Sequence, residues 1–225
     1  GTQAGTKVVF KNNNSDGEVE GIVNNGINLI IFLRRGIHVF DGTTTTKLDT
    51  PDITSTYNTK YIKSDSKVYF TANYKNEGNR IWTTDGTSAA TTSIEPFWPD
   101  GETPYGFMQT IGNNLIFSLS TSTGNQYNMG ELWFTDGTST NTAMFKDINQ
   151  FGNGSSSPKF QTTLNGKIYF AADDNVNGRE LFVFDGTTTA NFADGYDQVH
   201  TDVNETPIIA TNIATMFEVH HVHND

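Results

Sequence analysis

Apolar and polar positions along this chain fall into paired blocks. Each block holds two short apolar-aromatic runs separated by a polar turn or loop. The first runs are Leu29 to Leu33, Val68 to Ala72, Leu115 to Ser118 and Ile168 to Ala172. The second runs are Ile37 to Phe40, Ile81 to Thr84, Leu132 to Thr135 and Leu181 to Phe184. Runs this short, rich in aromatic and β-branched residues and bounded by Gly, Asn, Asp and Ser, predict strands. The composition agrees, because 33 Thr, 24 Asn and 21 Gly in 225 residues all disfavour helix. Only 35% of residues are hydrophobic, but 16 Phe, 8 Tyr and 3 Trp are large enough to fill a core.

The last complete block predicts a four-stranded antiparallel sheet. Phe160 to Leu164 is its first strand, and Asn165-Gly166 suits a type I′ hairpin turn because both residues tolerate positive φ. Lys167 to Ala172 is the second strand, Asp173 to Gly178 a polar loop and Glu180 to Phe184 the third strand. Asp185-Gly186 then turns the chain into a fourth strand over Thr187 to Ala193. A connection such as Asn149 to Ser157, rich in Gly, Ser and Asn, suits a crossing to the next sheet.

The tripeptide Asp-Gly-Thr marks the repeat. It begins at Asp41, Asp85, Asp136 and Asp185, with spacings of 44, 51 and 49 residues. Four-stranded units of ~40–50 residues are the mark of propeller blades, since one such sheet cannot bury both faces alone. The chain is therefore read as one all-β domain over 1–225, a β-propeller of about five four-stranded blades with one blade composite or incomplete. Its repeats run over 12–50, 51–99, 100–150 and 151–200, with partial copies at 1–11 and 201–225. Lys7 to Lys11 offers a fourth-type strand, and Ile208 to Ile213 with Met216 to Val222 offer first and second strands. A closed ring is preferred. The alternative is a segment of a longer repeat array, whose open terminal strands would drive self-association or chain continuation. Tyr69, Phe70, Trp82, Trp133, Tyr169, Phe170 and Phe182 are assigned to packing between blades, the alternative being an aromatic platform for sugars.

Glu131-Leu132-Trp133-Phe134-Thr135-Asp136-Gly137-Thr138 resembles the signature of the ELWxxDGT-repeat proteins, and Ala171 to Thr187 is similar with Phe182 at the Trp position. Asn79-Arg80-Ile81-Trp82 departs by lacking the Glu, and Gly36-Ile37-His38 departs further. The resemblance covers nearly the whole chain. It implies a large secreted or surface-attached bacterial protein of propeller type, without an enzymatic motif.

Charge and residue types narrow the function. A net charge of −11 gives no electrostatic footprint for nucleic acid and is repelled by an anionic membrane surface. No apolar run reaches 18 residues, so no membrane insertion through a helix is expected. The absence of Cys removes disulfides, thiol nucleophiles and thiolate metal sites. No nucleophile elbow accompanies the five His, and no carboxylate pair is singled out for glycoside hydrolysis. The expectation is a protein that is not an enzyme.

Asp173, Asn175 and Asn177, followed by Gly178, open like an oxygen-rich calcium loop, although Phe184 stands where the bidentate Glu is needed. An ordinary polar hairpin loop uses the same residues. His221 and His223, beside His220, share one face of a strand and are candidate transition-metal ligands; a solvated tail is the competing reading. Trp98, with Asp100 and Glu102 nearby, is a candidate ligand-binding aromatic in a connection between blades, or a plug beneath that connection. The Asp of each Asp-Gly-Thr is expected to cap its turn. The functional expectation is a non-catalytic binding or assembly module, extracellular or at the cell surface, with a protein or glycan partner. A lectin is the alternative and a glycoside-acting enzyme is third.

Overall fold

The computed structural model describes residues 8–11, 15–94, 103–123, 126–149, 155–176 and 178–184. Within them the chain is entirely β. The first sheet is β1 (Val19–Asn24), β2 (Leu29–Leu33), β3 (Gly36–Phe40) and β4 (Thr45–Lys47), hydrogen-bonded in chain order. The second holds β5 (Ile53–Ser55), β6 (Tyr61–Lys63), β7 (Val68–Tyr74), β8 (Asn79–Thr84) and β9 (Thr92–Ser93). The third is β10 (Thr103–Ile111), β11 (Asn114–Thr123), β12 (Gln126–Thr135) and β13 (Ala143–Lys146). The fourth shows β14 (Lys159–Leu164), β15 (Lys167–Asp173) and β16 (Arg179–Phe184). All pairings are antiparallel.

The hairpin expected at Asn165-Gly166 forms, with φ of 50° and 72°, and joins Leu164 to Lys167 across the ladder. The second sheet departs from the four-strand expectation. Its first strand is split by a turn in which the Thr59 amide donates to the Thr56 carbonyl and Asn58 takes φ 56°. Both pieces still pair with β7, so the sheet has five strands. The strand proposed at 7–11 is not found: residues 8–11 are described and form none, while those proposed at 187–193, 208–213 and 216–222 lie outside the described residues.

Neighbouring sheets press face to face. Strand side chains alternate between faces, so adjacent residues of one strand serve different interfaces. On β7, Val68, Phe70 and Ala72 join Ile30, Phe32, Ile37 and Val39 of the first sheet. Tyr69 points the other way, with Ile81, into Leu115, Phe117 and Leu119 of the third sheet. On the third sheet Ile116, Leu132 and Phe134 turn towards Ile168, Phe170, Ala172, Phe182 and Phe184 of the fourth. The first strands also meet in sequence: β1 touches β6, β6 touches β10, and β10 touches β14. Each sheet is therefore a propeller blade whose first strand lies nearest the common axis. Hydrogen bonds stitch these inner strands together. Thr110 Oγ1 donates to the Lys63 carbonyl at 2.9 Å, and Gln109 Nε2 donates to Thr163 Oγ1 at 2.8 Å.

Six of the seven repeated aromatics follow the packing assignment, while Tyr169 joins none of the clusters among the described residues. Tyr69, Phe70, Trp82, Phe170 and Phe182 are buried, while Trp133 and Tyr169 are half-buried. Phe70 lies between Phe32, at 5.0 Å between ring centroids, and Trp82, at 6.3 Å. Such offset aromatic pairs add ~0.5–1.5 kcal/mol beyond the area they bury.

Candidate functional site

The Asp-Gly-Thr turns join β3 to β4, β8 to β9 and β12 to β13. Asp41 Oδ1 accepts the amides of Thr43 and Thr44, each at 2.7 Å. Asp85 Oδ1 accepts the Thr87 amide at 2.9 Å and hydroxyl at 2.8 Å. Asp136 Oδ1 makes the same two bonds with Thr138, at 2.8 and 2.7 Å, and its Oδ2 accepts from Asn141 Nδ2 at 2.7 Å. Amide donors, Thr44 first, hold the Asp41 carboxyl below its usual range. At Asp136 burial pushes upward, but the bonds from Thr138 and Asn141 outweigh it and the net shift is down.

Two of these turns share more than the tripeptide. Thr84 Oγ1 accepts the Gly86 amide and meets Thr91 Oγ1 at 2.8 Å; Thr135 Oγ1 accepts the Gly137 amide and the Thr142 hydroxyl at 2.7 Å. The sequence signal is Thr-Asp-Gly-Thr-Ser followed by two residues and Thr, present at both places and broken at the first turn by Phe40.

Each such turn also clasps the preceding blade. Asn25 Nδ2 of the β1–β2 hairpin donates to the Asp85 carbonyl at 2.8 Å, and Lys67 Nζ of the β6–β7 hairpin donates to the Asp136 carbonyl at 2.7 Å. A Cβ on Gly137, which has φ +97°, would lie 2.6 Å from that Nζ. A Cβ on Gly42, at φ +98°, meets nothing within 4 Å among the described residues. Both Gly42→Ala and Gly137→Ala will therefore lose about 1–2 kcal/mol to the left-handed backbone. Gly137→Ala will lose more, because it also displaces the Lys67 ammonium. Denaturant unfolding of the two variants measures the difference.

Glu131, the Glu of the Glu-Leu-Trp segment, works in the opposite direction, towards the following blade. Its Oε2 accepts the Ile148 amide at 2.8 Å and its Oε1 accepts the Ser156 amide at 2.7 Å. One carboxylate thus ties β12 to the connection that leads into β14. Burial raises its pKa, opposed by those amides.

Of the residues singled out in the sequence, Asp173 and Asn175 are described. Asp173 Oδ1 accepts the Asn175 amide at 2.8 Å, and neighbouring Asp174 Oδ1 accepts the Val176 amide at 2.9 Å. Asn175 has φ 62°. These oxygens act as Asx-turn acceptors, as expected of a polar hairpin loop. Trp98, Asp100, Glu102, Asn177, His221 and His223 lie outside the described residues. Among the described residues no three His, Asp or Glu side chains gather as a metal site.

Two constellations escaped the sequence reading. On the face of the first blade turned away from the second, Asp16 accepts from Lys47 Nζ at 2.5 Å and lies 2.9 Å from His38 Nε2. The Lys47 bond, then that of His38, holds the Asp16 carboxyl below its usual range. Phe10 packs on the His38 ring at 5.0 Å. An Asp-paired imidazole is half of a general-base arrangement. Among the described residues no hydroxyl is hydrogen-bonded to this ring.

The second is a cleft of about 320 Å³ between the first two blades, lined by Arg34, Arg35, Thr54, Ser55 and Tyr57. It opens at the end of the first blade that carries the β2–β3 turn, beside the split first strand of the second. Its walls are laced together. The Arg34 carbonyl accepts the Thr56 amide at 3.0 Å, and the buried Thr56 hydroxyl donates to the Leu33 carbonyl. The Arg34 side chain is held by Glu18 and Glu20, both at 3.2 Å, and its guanidinium lies 4.8 Å from the Tyr57 ring centroid. No spacing announces this cleft, because residues 34–35 and 54–57 come from different repeats.

No protein-family model matches the chain, and no curated protein matches it in sequence. Among solved structures it is similar to the computationally designed Ika4 protein, with TM-score 0.46 and 14% identity over 78% of this chain and 97% of that one. It is similar to a thermostable family-43 glycoside hydrolase, with TM-score 0.35 and 13% identity over 74% of this chain and 68% of that one. It is also similar to a family-43 endo-arabinanase from Bacillus licheniformis, with TM-score 0.33 and 13% identity over 75% and 73% of the two chains.

Proposed function

We propose that this chain is a non-catalytic binding and assembly module of a secreted or cell-surface bacterial protein, meeting a protein or glycan partner through one propeller face or its open sheet edges. One observation carries the reading: the polar groups of the repeated signature are spent inside the fold. Asp41, Asp85 and Asp136 cap turns, Glu131 binds two backbone amides, and the main chain at Asp85 and Asp136 clasps the preceding blade. What differs from blade to blade is the set of loops and connections at the opposite end, where recognition is free to vary. The resemblance to ELWxxDGT repeats supports the same location and role.

A lectin is the second reading, favoured by Tyr57, which is 55% exposed beside two arginines. Incubating the chain with an oligosaccharide panel, then measuring both retention and product release, tests the proposal. Retention of glycans, with every sugar returned intact, is the expected outcome. Turnover of a glycosidic bond would refute it.

A further inference from the structure

We propose that the cleft between the first two blades is a binding site for carboxylated saccharides, with Tyr57 as stacking platform and Arg35 as carboxylate anchor; this rests on the binding-module reading above. The chain carries 14 basic residues against 25 acidic ones, so an uncompensated cation in a concavity is distinctive. Arg35 is exposed and lines the cleft, and among the described residues its guanidinium has neither an ion pair nor a hydrogen bond. Its neighbour Arg34 is the contrast, since Glu18 and Glu20 already hold it. Arg34 therefore serves as scaffold beneath Tyr57, and Arg35 remains to meet an anion. A guanidinium binds a carboxylate by two parallel N–H···O bonds, a geometry a sugar acid can present from its ring edge.

The rest of the cleft suits a sugar ring. Tyr57 offers a large exposed surface, and its ring is pre-set by Arg34. Ser55 Oγ donates weakly to the Arg34 carbonyl at 3.4 Å and accepts the Tyr57 amide at 3.1 Å, which fixes the segment carrying the ring. Thr54 Oγ1 donates to Asn73 Oδ1 at 2.8 Å and so anchors the floor to β7. A site whose walls are already bonded loses little order when it closes on a ligand. Its volume admits one or two sugar residues.

The experiment is titration of the full chain with 3′-sialyllactose and digalacturonate, and with lactose and carboxyl-reduced digalacturonate as neutral partners. Sialic and uronic acids present the same chemistry, and the two arms separate them. Binding of at least one acid, weaker by about tenfold or more for its neutral partner and in Arg35→Ala, is expected. Tyr57→Ala will weaken it comparably, and Arg35→Lys will retain part of the affinity. Both side chains are exposed, so unchanged thermal unfolding separates loss of the site from loss of the fold. If the acids bind and the variants bind equally well, the site assignment is overturned while the binding-module reading stands. If neither acid binds, the carboxylated-saccharide assignment is overturned, and the oligosaccharide retention and turnover assay above decides the module reading separately.

Discussion

Replacing Phe70 by alanine will lower the unfolding free energy by about 3–5 kcal/mol, the range for truncating a fully buried phenylalanine. Phe70 has no exposed surface and sits at the interface of the first two blades, against Phe32 and Trp82. Both neighbours belong to rigid sheets pinned by ladders on either side, so the void cannot collapse easily. Tyr69 sits one position away but serves the other interface, where its hydroxyl donates to the Asn113 carbonyl at 2.5 Å. Tyr69→Phe will therefore cost less, ~1 kcal/mol, the value of one internal hydrogen bond. Urea unfolding followed by tryptophan fluorescence orders the two variants. A loss below about 1 kcal/mol for Phe70→Ala would mean that these faces do not press together.

The second large effect is at Glu131. Glu131→Ala leaves the Ile148 and Ser156 amides without their acceptor, and both residues are buried. Each orphaned amide costs about 1–3 kcal/mol, so a loss of about 2–6 kcal/mol is expected, towards the lower end if water reaches the connection. Acidity gives an independent check. Burial, reinforced by the charge of Asp147, raises the Glu131 pKa above its ordinary 4.5 against the pull of the two amides. The folded state therefore holds that proton more tightly than the unfolded chain. The stability tied to it is complete below pH 4.5 and is lost as pH rises through the folded value. Glu131→Gln will flatten this slope. Asp16, Asp41 and Asp136 have lowered values and run the other way. Their contribution is complete above about pH 3.8 and is lost as the solution is acidified below it. From pH 3 to 8 the Glu131→Gln curve will lie below the native one at the acid end, because its Nε2 cannot accept the amide that a carboxyl oxygen accepts, and it will lack the native decline above pH 4.5.

Much of the blade was legible because its determinants are local. Asn165-Gly166 sets a hairpin, Asp136 caps a turn within five residues of itself, and alternation within β7 sends Tyr69 and Phe70 to opposite faces. The split first strand of the second blade was not legible. Its break depends on the Thr59 hydroxyl finding the Thr71 carbonyl at 2.7 Å and on Thr56 bonding to the first blade, neither of which is a local preference. The role of Glu131 was half legible. Its place in the repeated segment marked it, but its partners lie 17 and 25 residues downstream. The cleft at Arg35 and Tyr57 was hidden for the same reason, since packing between repeats creates it. Asp173 caps a turn, and Trp98, Asp100, Glu102, His221 and His223 fall outside the described residues.

All of this depends on successive repeats facing one another through their aromatic sides. A double-mutant cycle on Phe32 and Phe70, 38 positions apart and 5.0 Å apart between ring centroids, tests it most directly. Blades in contact require a coupling energy of about 1 kcal/mol or more between Phe32→Ala and Phe70→Ala. Losses that simply add, within ~0.3 kcal/mol, would contradict the arrangement.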